Sequence, residues 1–384
     1  MAGRDTVLDV LGRLEPPPRI VDWSLLAVVL AEAATGLVSF TVATPDGWPV
    51  FWLHRSLGLA IVVLLGWKLA RVRHRLLDRR LWRRSTALSI LTLLAAVGTI
   101  STGTLWVVGV DVRVSYWTLL SVHVGFGLLL VPLVAFHAAT RFRPPRRVDF
   151  EGRRTAVQYG VLLIAGAIAY RLQQGANALL SMNGTNRRFT GSQPREGDGN
   201  DAFPVTSWVA DDPDPIDRAS YRLSVTGLVA EPREFAADEL GGDETAALLD
   251  CTSGWYTVQE WGGIRVGDLL EAAGGVERSG NRGGSVDGVA DAPDDADGDV
   301  PDPAYVRFVS VTGYRWSLPL AEAQDALLAT HVGGERLTHG HGGPVRLVAP
   351  GRRGFQWVKW VVRVEVRAER DPAQWVVTLV SGFD

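Results

Sequence analysis

Five long apolar stretches fill the first 175 residues, over 20–43, 50–70, 86–108, 117–140 and 156–172. A helix of a soluble bundle alternates polar and apolar faces. These stretches do not, which predicts helices surrounded by lipid. Four of them reach the roughly 20 residues that cross a bilayer at about 1.5 Å per residue. The fifth is shorter and ends near Arg171. From Tyr221 the pattern changes to short alternating runs, YRLSVTGLV, YVRFVSV, PVRLVAP and KWVVRVEV, which read as strands. Helical stretches lie near 266–273 and 320–329. Strand and helix mix without a regular βαβ rhythm, so this half is expected to be α+β. The predicted architecture is a multi-domain membrane protein. An all-α transmembrane bundle of about five helices occupies 1–175, a linker 176–200, and an α+β domain 201–384.

Charge orients the helices. The connections RVRHRLLDRRLWRR (71–84) and RFRPPRRVDFEGRR (141–154) are rich in Arg, whereas TPDGWP and GVDVRVSY are nearly free of positive charge. The positive-inside rule puts the N-terminus and both Arg-rich loops in the cytoplasm. Five crossings then deliver residues 176–384 to the outside of the cytoplasmic membrane. The first stretch is too long, and its preceding segment too polar and Pro-rich, for a cleaved signal peptide.

A formal net charge of −3 hides a split. Residues 1–175 carry 20 Lys+Arg against 10 Asp+Glu, and the remainder 19 against 32. A basic half joined to an acidic half suggests two environments. The run DGVADAPDDADGDVPDPA (287–304) is too polar and turn-rich to pack, and reads as a solvated loop. No GxGxxG or GxxxxGK motif occurs, so a nucleotide cofactor is not indicated, and no nucleic-acid partner is expected.

Three of the seven histidines, His54, His123 and His137, fall within apolar spans, where an ionisable group is costly and usually functional. His54 opens the second span and His123 lies early in the fourth. Both spans run outside to inside, which suits two imidazoles clamping one haem b from facing helices. In HVGFG (123–127) two glycines leave room for a porphyrin face. His137 lies fourteen residues after His123, on nearly the same helix face and roughly 21 Å away, the spacing of a second stacked haem. His74 is expected in the cytoplasmic loop. Glu32 is either an interhelical hydrogen-bond partner or a proton or quinone site.

Cys251 is the only cysteine, which excludes an intrachain disulfide and a zinc cage of several thiolates. Its setting, CTSGWYTVQEWGGIRVGDLL, resembles the molybdenum-binding segment of the sulfite oxidase superfamily. It is most similar to that of the periplasmic methionine sulfoxide reductase branch, where a Trp follows the Cys by four residues. The run HGGPVRLVAPGRRGFQWVKWVVRVEV (341–366) resembles the pterin-closing segment of the same family, and TGYRWSLPLAEAQDALLA (312–329) its intervening strand, turn and helix. The resemblance covers about 200–370. It implies a molybdopterin-binding domain with Cys251 as the molybdenum ligand and Trp255 beside it as a catalytic residue. Pterin contacts are implied at Ser310, His341, Arg346, Trp357, Val358 and Lys359, with an upstream contact region at 200–203. His341 stands where the reductase branch has Asn.

Elementary chemistry agrees with this resemblance. A molybdenum centre with one dithiolene needs a further soft sulfur ligand. The cofactor's phosphate needs the donors that Arg346, Lys359 and the Arg352–Arg353 pair supply. Gly351 and Gly354 allow close backbone approach. Two departures from sulfite oxidases stand out. No Arg occurs between Cys251 and Arg265, and the chain ends about eighteen residues after the last matched strand, so the family's dimerisation domain is not expected.

These features predict a quinol-linked molybdenum reductase acting on a small sulfur-containing, sulfoxide-type substrate, with electrons relayed through haem b. The alternatives are a quinone-reducing, sulfite-type dehydrogenase and a non-enzymatic, membrane-anchored cofactor-binding domain. The family loads its cofactor into folded domains in the cytoplasm, which predicts folded export. Arg153–Arg154, before GVLLIAGAIA, would then serve as an internal twin-arginine signal.

Overall fold

A computed structural model describes residues 16–114, 117–141, 146, 153–207, 211–277 and 302–381. The acidic run over 287–304 lies outside the described residues apart from its last three, and so does most of the connection over 141–154. The chain divides into two compact units, Met1–Pro194 and Arg195–Asp384.

Among the described residues five long helices build the first unit: α1 (Pro18–Ser39), α2 (Trp48–Leu77), α3 (Arg84–Val107), α4 (Leu119–Arg141) and α5 (Arg153–Leu179). Proline sits in the first turn of α1 and of α2, where its missing N–H costs nothing. The first four helices are long and apolar enough to cross a membrane; α5 is not among them. Val29, Ile61, Ala95, Ala96, Leu130 and Leu133 pack into one interior cluster. The opposite faces carry exposed Leu30, Leu37, Leu91, Leu94, Leu128 and Phe136. Helices apolar inside and out suit a hydrocarbon surround.

The helix α2 is longer than its apolar stretch, and His74, expected in a loop, lies in its last turn. Arg and Leu are good helix formers, and basic side chains suit the negative end of the helix dipole. Lys68 and Arg71 on α2 both bond Asp22 of α1, at 3.0 and 3.2 Å. Between α3 and α4 a small ribbon pairs β1 (Arg113–Val114) with β2 (Trp117–Thr118). The unit closes on β3 (Gln193–Pro194).

The second unit is α+β. Its strands are β4 (Arg222–Gly227), β5 (Arg233–Ala236), β6 (Asp243–Cys251), β7 (Trp255–Arg265), β8 (Tyr305–Ser310), β9 (Arg315–Pro319), β10 (Leu327–Val332), β11 (Glu335–Arg336), β12 (Arg346–Val348) and β13 (Val361–Arg367). Short helices α6 (Val266–Ala272), α7 (Leu320–Asp325) and α8 (Gln374–Val380) intervene. One sheet runs β5-β4-β13-β8-β9. Its central strand β13 is parallel to β4 and antiparallel to β8. In the other sheet β7 pairs with β6 and β10, and β10 also pairs with β11 and β12. The helix expected over 320–329 ends at Asp325, and β10 begins two residues on. A short apolar run such as LLATHV is buried on both faces, so periodicity alone cannot separate strand from helix there. Trp261, Trp316, Phe308, Leu223 and Leu318 are fully buried in the shared core. Each contributes roughly 1.5–3 kcal/mol of burial.

Candidate active site

Cys251 ends β6, at a tight turn into β7. Gly254 closes the turn with φ +99°, its N–H donating to the Cys251 carbonyl at 3.0 Å. The thiol lies 3.1 Å from the Ser253 hydroxyl and 3.4 Å from that of Thr206. Both hydroxyls can donate to a thiolate. Beneath the thiol, Asp250 is fully buried and paired with buried Arg353 at 2.8 Å. Arg353 also donates to the Cys251 carbonyl at 3.3 Å. Gly354 fits here because a Cβ would come within 3.0 Å of the Cys251 Cα. Gly351, by contrast, faces open space, and its φ of +79° is what calls for glycine.

Two cations share this region, Arg346 buried and Lys359 half-buried. The Arg346 guanidinium lies over the rings of Trp261 and Trp357, at 5.2 and 5.8 Å, and donates to the His341 carbonyl at 2.9 Å. Its Nε is buried without a hydrogen-bond partner, as are the indole N–H groups of Trp255 and Trp357. Burial pushes Arg346 down to about 10. The Lys359 ammonium donates to the carbonyls of Thr206 and Gly340, at 2.7 and 2.6 Å. Burial, then repulsion from Arg346, pushes it down to about 7, and the Cys251 charge opposes that shift. Asp211 is buried near Lys359, and burial raises its carboxyl. Desolvated cations beside a lone thiol, with donors left over, suit an anionic ligand rich in acceptor oxygens. A pterin phosphate and dithiolene have that chemistry.

The other expected residues fall as follows. His341 is buried, with Nδ1 2.8 Å from the Thr338 hydroxyl and Nε2 3.0 Å from the Phe203 carbonyl. Burial pushes it down to about 4, so it is neutral at pH 7 with both nitrogens engaged. Ser310 ends β8, and its hydroxyl lies 3.1 Å from that of Thr312. Trp357 and Val358 are buried. Phe203 packs on Trp255, Trp261 and His341, which brings the 200–203 region to the site. Arg352 does not join the cations: it pairs with Glu322 across a half-exposed surface. Sequence reasoning missed Thr206 and Asp250, which no motif marks.

The first unit holds the histidine pair. The rings of His54 and His123 stand with centroids 6.2 Å apart and planes at 90°. His54 Nδ1 meets the Glu32 carboxylate at 2.9 Å and the Thr35 hydroxyl at 3.0 Å. His123 Nδ1 meets the Thr99 carbonyl at 2.8 Å. The Thr99 carbonyl only accepts, so His123 Nδ1 carries a hydrogen there. Cβ atoms built at Gly125 and Gly127 would meet nothing within 4 Å. His137 lies 3.4 Å from the Ser89 hydroxyl of α3.

Residues 210–375 match the family model of the oxidoreductase molybdopterin binding domain. Mitochondrial sulfite oxidase of Rattus norvegicus is 32% identical over 139 residues, covering 35% of this chain and 22% of its own. An uncharacterized oxidoreductase of Bacillus subtilis, YuiH, is 28% identical over 180 residues, covering 45% of this chain and 78% of its own. Sulfane dehydrogenase SoxCD of Paracoccus pantotrophus aligns at a TM-score of 0.33 with 24% identity, over 41% of this chain and 40% of that one. This chain thus spans under a quarter of the rat sulfite oxidase it matches. The second unit is a molybdopterin-binding oxidoreductase domain. The domain belongs to the sulfite oxidase family, and here it follows a helical region with four apolar helices of membrane-spanning length.

Proposed function

We propose that this chain is a membrane-bound molybdenum oxidoreductase that draws electrons from the quinone pool through haem b and reduces a sulfoxide-type substrate. The observation that carries the reading is the pair of cations, buried Arg346 and half-buried Lys359, beside the only thiol. Cys251 would supply the protein sulfur to molybdenum. Ser253 and Thr206 hold that sulfur by hydroxyl contact, and the Asp250–Arg353 pair fixes the strand end that carries it. Arg346 and Lys359 hold the anionic pterin, and Trp255 and Trp357 add indole donors. The bound group supplies oxygen-atom transfer: the sulfur–oxygen bond breaks, and two electrons and two protons leave the sulfide and water.

A haem b between His54 and His123 is supported by their spacing. His54 of α2 and His123 of α4, with ring centroids 6.2 Å apart, would hold the haem, which would supply one-electron transfer. Glu32, Thr35 and Thr99 orient the rings through Nδ1, as partners of ligating histidines do. A fifth crossing by α5 is supported by its exposed apolar stripe, Val157, Val161, Ile164, Ile168 and Leu172, at helical spacing. With five crossings the second unit lies outside the cytoplasmic membrane.

The reverse direction, oxidation of sulfite into the quinone pool, is favoured by the sulfite oxidases among the relatives. It is disfavoured by the lack of any Arg between Cys251 and Arg265. The test uses purified full-length protein: molybdenum content, a reduced-minus-oxidised spectrum, and methionine sulfoxide reduction assayed beside sulfite oxidation. One molybdenum per chain, a b-type band and sulfoxide turnover are expected. Absence of molybdenum from active protein would overturn the reading, and sulfite turnover alone would reverse its direction.

A further inference from the structure

A second basic site lies wholly within the first unit. A cavity of about 340 Å³ opens where α2 begins and α5 ends. Its lining includes Arg55, Arg171, Arg187, Arg188, Trp48 and Trp52, and no carboxylate is among the lining residues. Two of the arginines are held in place by the fold. Arg55 donates to the Tyr170 hydroxyl and the Phe189 carbonyl, both at 2.8 Å. Arg187 donates from Nε to the Gly184 carbonyl at 2.9 Å, while its Nη1 is buried with no hydrogen-bond partner. Burial, then repulsion from Arg55, pushes Arg187 down to about 10. Guanidinium groups gathered round one cavity, with Arg187 desolvated and its Nη1 unpartnered, leave a place for an anion from outside the chain.

We propose that this cavity binds a phosphate group. Guanidinium forks match tetrahedral oxyanions bidentately, and a phosphate offers enough acceptor oxygens for several arginines at once. The tryptophans place the cavity at headgroup depth: Trp48 is 55% exposed at the start of α2, as side chains at a membrane–water interface are. An anionic phospholipid headgroup and free phosphate share this chemistry.

The experiment follows thermal unfolding of the full-length protein in nonionic detergent, titrated with phosphatidylglycerol, phosphatidylcholine or inorganic phosphate. Phosphatidylglycerol is expected to raise the midpoint saturably, and phosphatidylcholine to leave it unmoved. Arg187→Gln should weaken the apparent affinity about tenfold, the loss expected for one charge-assisted hydrogen bond, and Arg187→Lys should recover part of it. Response to phosphatidylglycerol alone identifies a lipid site. An equal response to inorganic phosphate, lost in the same variant, identifies the phosphate itself as the ligand. Should Arg187→Gln not fold, Arg171→Gln on the exposed face of α5 takes its place. The proposal is overturned if neither anion shifts the midpoint, or if the folded variants respond as the native protein does.

Discussion

Replacing Asp250 with Asn removes one charge from a buried pair and leaves the shape almost unchanged. Asp250 is 0% exposed and Arg353 4%, with 2.8 Å between oxygen and nitrogen. At an effective dielectric of about 20 that separation corresponds to roughly 6 kcal/mol of attraction, most of it offset by the desolvation of both groups. The variant keeps the desolvation of Arg353 and loses the attraction, which costs about 3–5 kcal/mol. For a unit of this size each kcal/mol moves the melting midpoint about 2–4 °C, so a fall of roughly 10 °C is expected. Calorimetry on the full-length protein in detergent, following the transition of the second unit, reads it. The companion is Asp250→Asn with Arg353→Met, which leaves no stranded charge and should recover much of the loss. A cost under about 1 kcal/mol for the single variant, or a double variant as unstable as the two singles added, refutes the role given to this pair.

Cys251→Ser should leave a folded protein with under a few per cent of native turnover, since a hydroxyl is a poor substitute for a thiolate on molybdenum; more residual activity removes Cys251 from the metal. His54→Ala and His123→Ala should each abolish the b-type absorbance, whereas His137→Ala should leave the band that those two hold; a full band in either of the first two ends the haem assignment. Lys359 gives a pH signature. Its free-state value of about 7 lies below that of an unfolded lysine, and an anionic cofactor raises it. Binding therefore takes up a proton above about pH 7, and retention of the cofactor should fall by up to about tenfold per pH unit from there, and stay flat below. Gel filtration across pH 6–9 measures this, and a native slope that persists in Lys359→Met refutes it. Replacing Arg153 and Arg154 together with Lys keeps the charge but should block twin-arginine export; a second unit still open to protease on intact spheroplasts shows the pair to be ordinary topogenic charge.

The two-part organisation was legible because lipid and water impose different periodicities on a chain. Five apolar stretches and four of the strands could be read from pattern alone. The candidate site is proposed from sequence where it is contiguous: Cys251 with Trp255, and the run from His341 to Lys359. It was not legible where distant segments meet. Thr206 reaches the thiol from a loop 45 residues upstream, with no local pattern to mark it. Arg352 and Arg353 look alike as neighbours in a basic pair, yet the fold gives one to Glu322 at the surface and the other to Asp250 in the interior. His341 reads as a cofactor contact, and the fold engages its two nitrogens with Thr338 and Phe203. In each case the partner, which sequence does not display, decides the role.

The position of β13 has a consequence for biosynthesis. This strand lies at the middle of its sheet, between β4 and β8, yet it is the last in sequence among the described strands. Its pairing joins Arg363 to Ser224, about 140 residues upstream. At 5–20 residues per second, roughly ten to thirty seconds separate the emergence of β4 from that of its neighbour. Until then β4 presents an open edge bearing Leu223 and Val225, both fully buried in the finished domain. By that time the ribosome has already released every helix of the first unit. A chain that begins to fold while it is being made therefore carries this apolar edge uncovered until β13 arrives to pair with it.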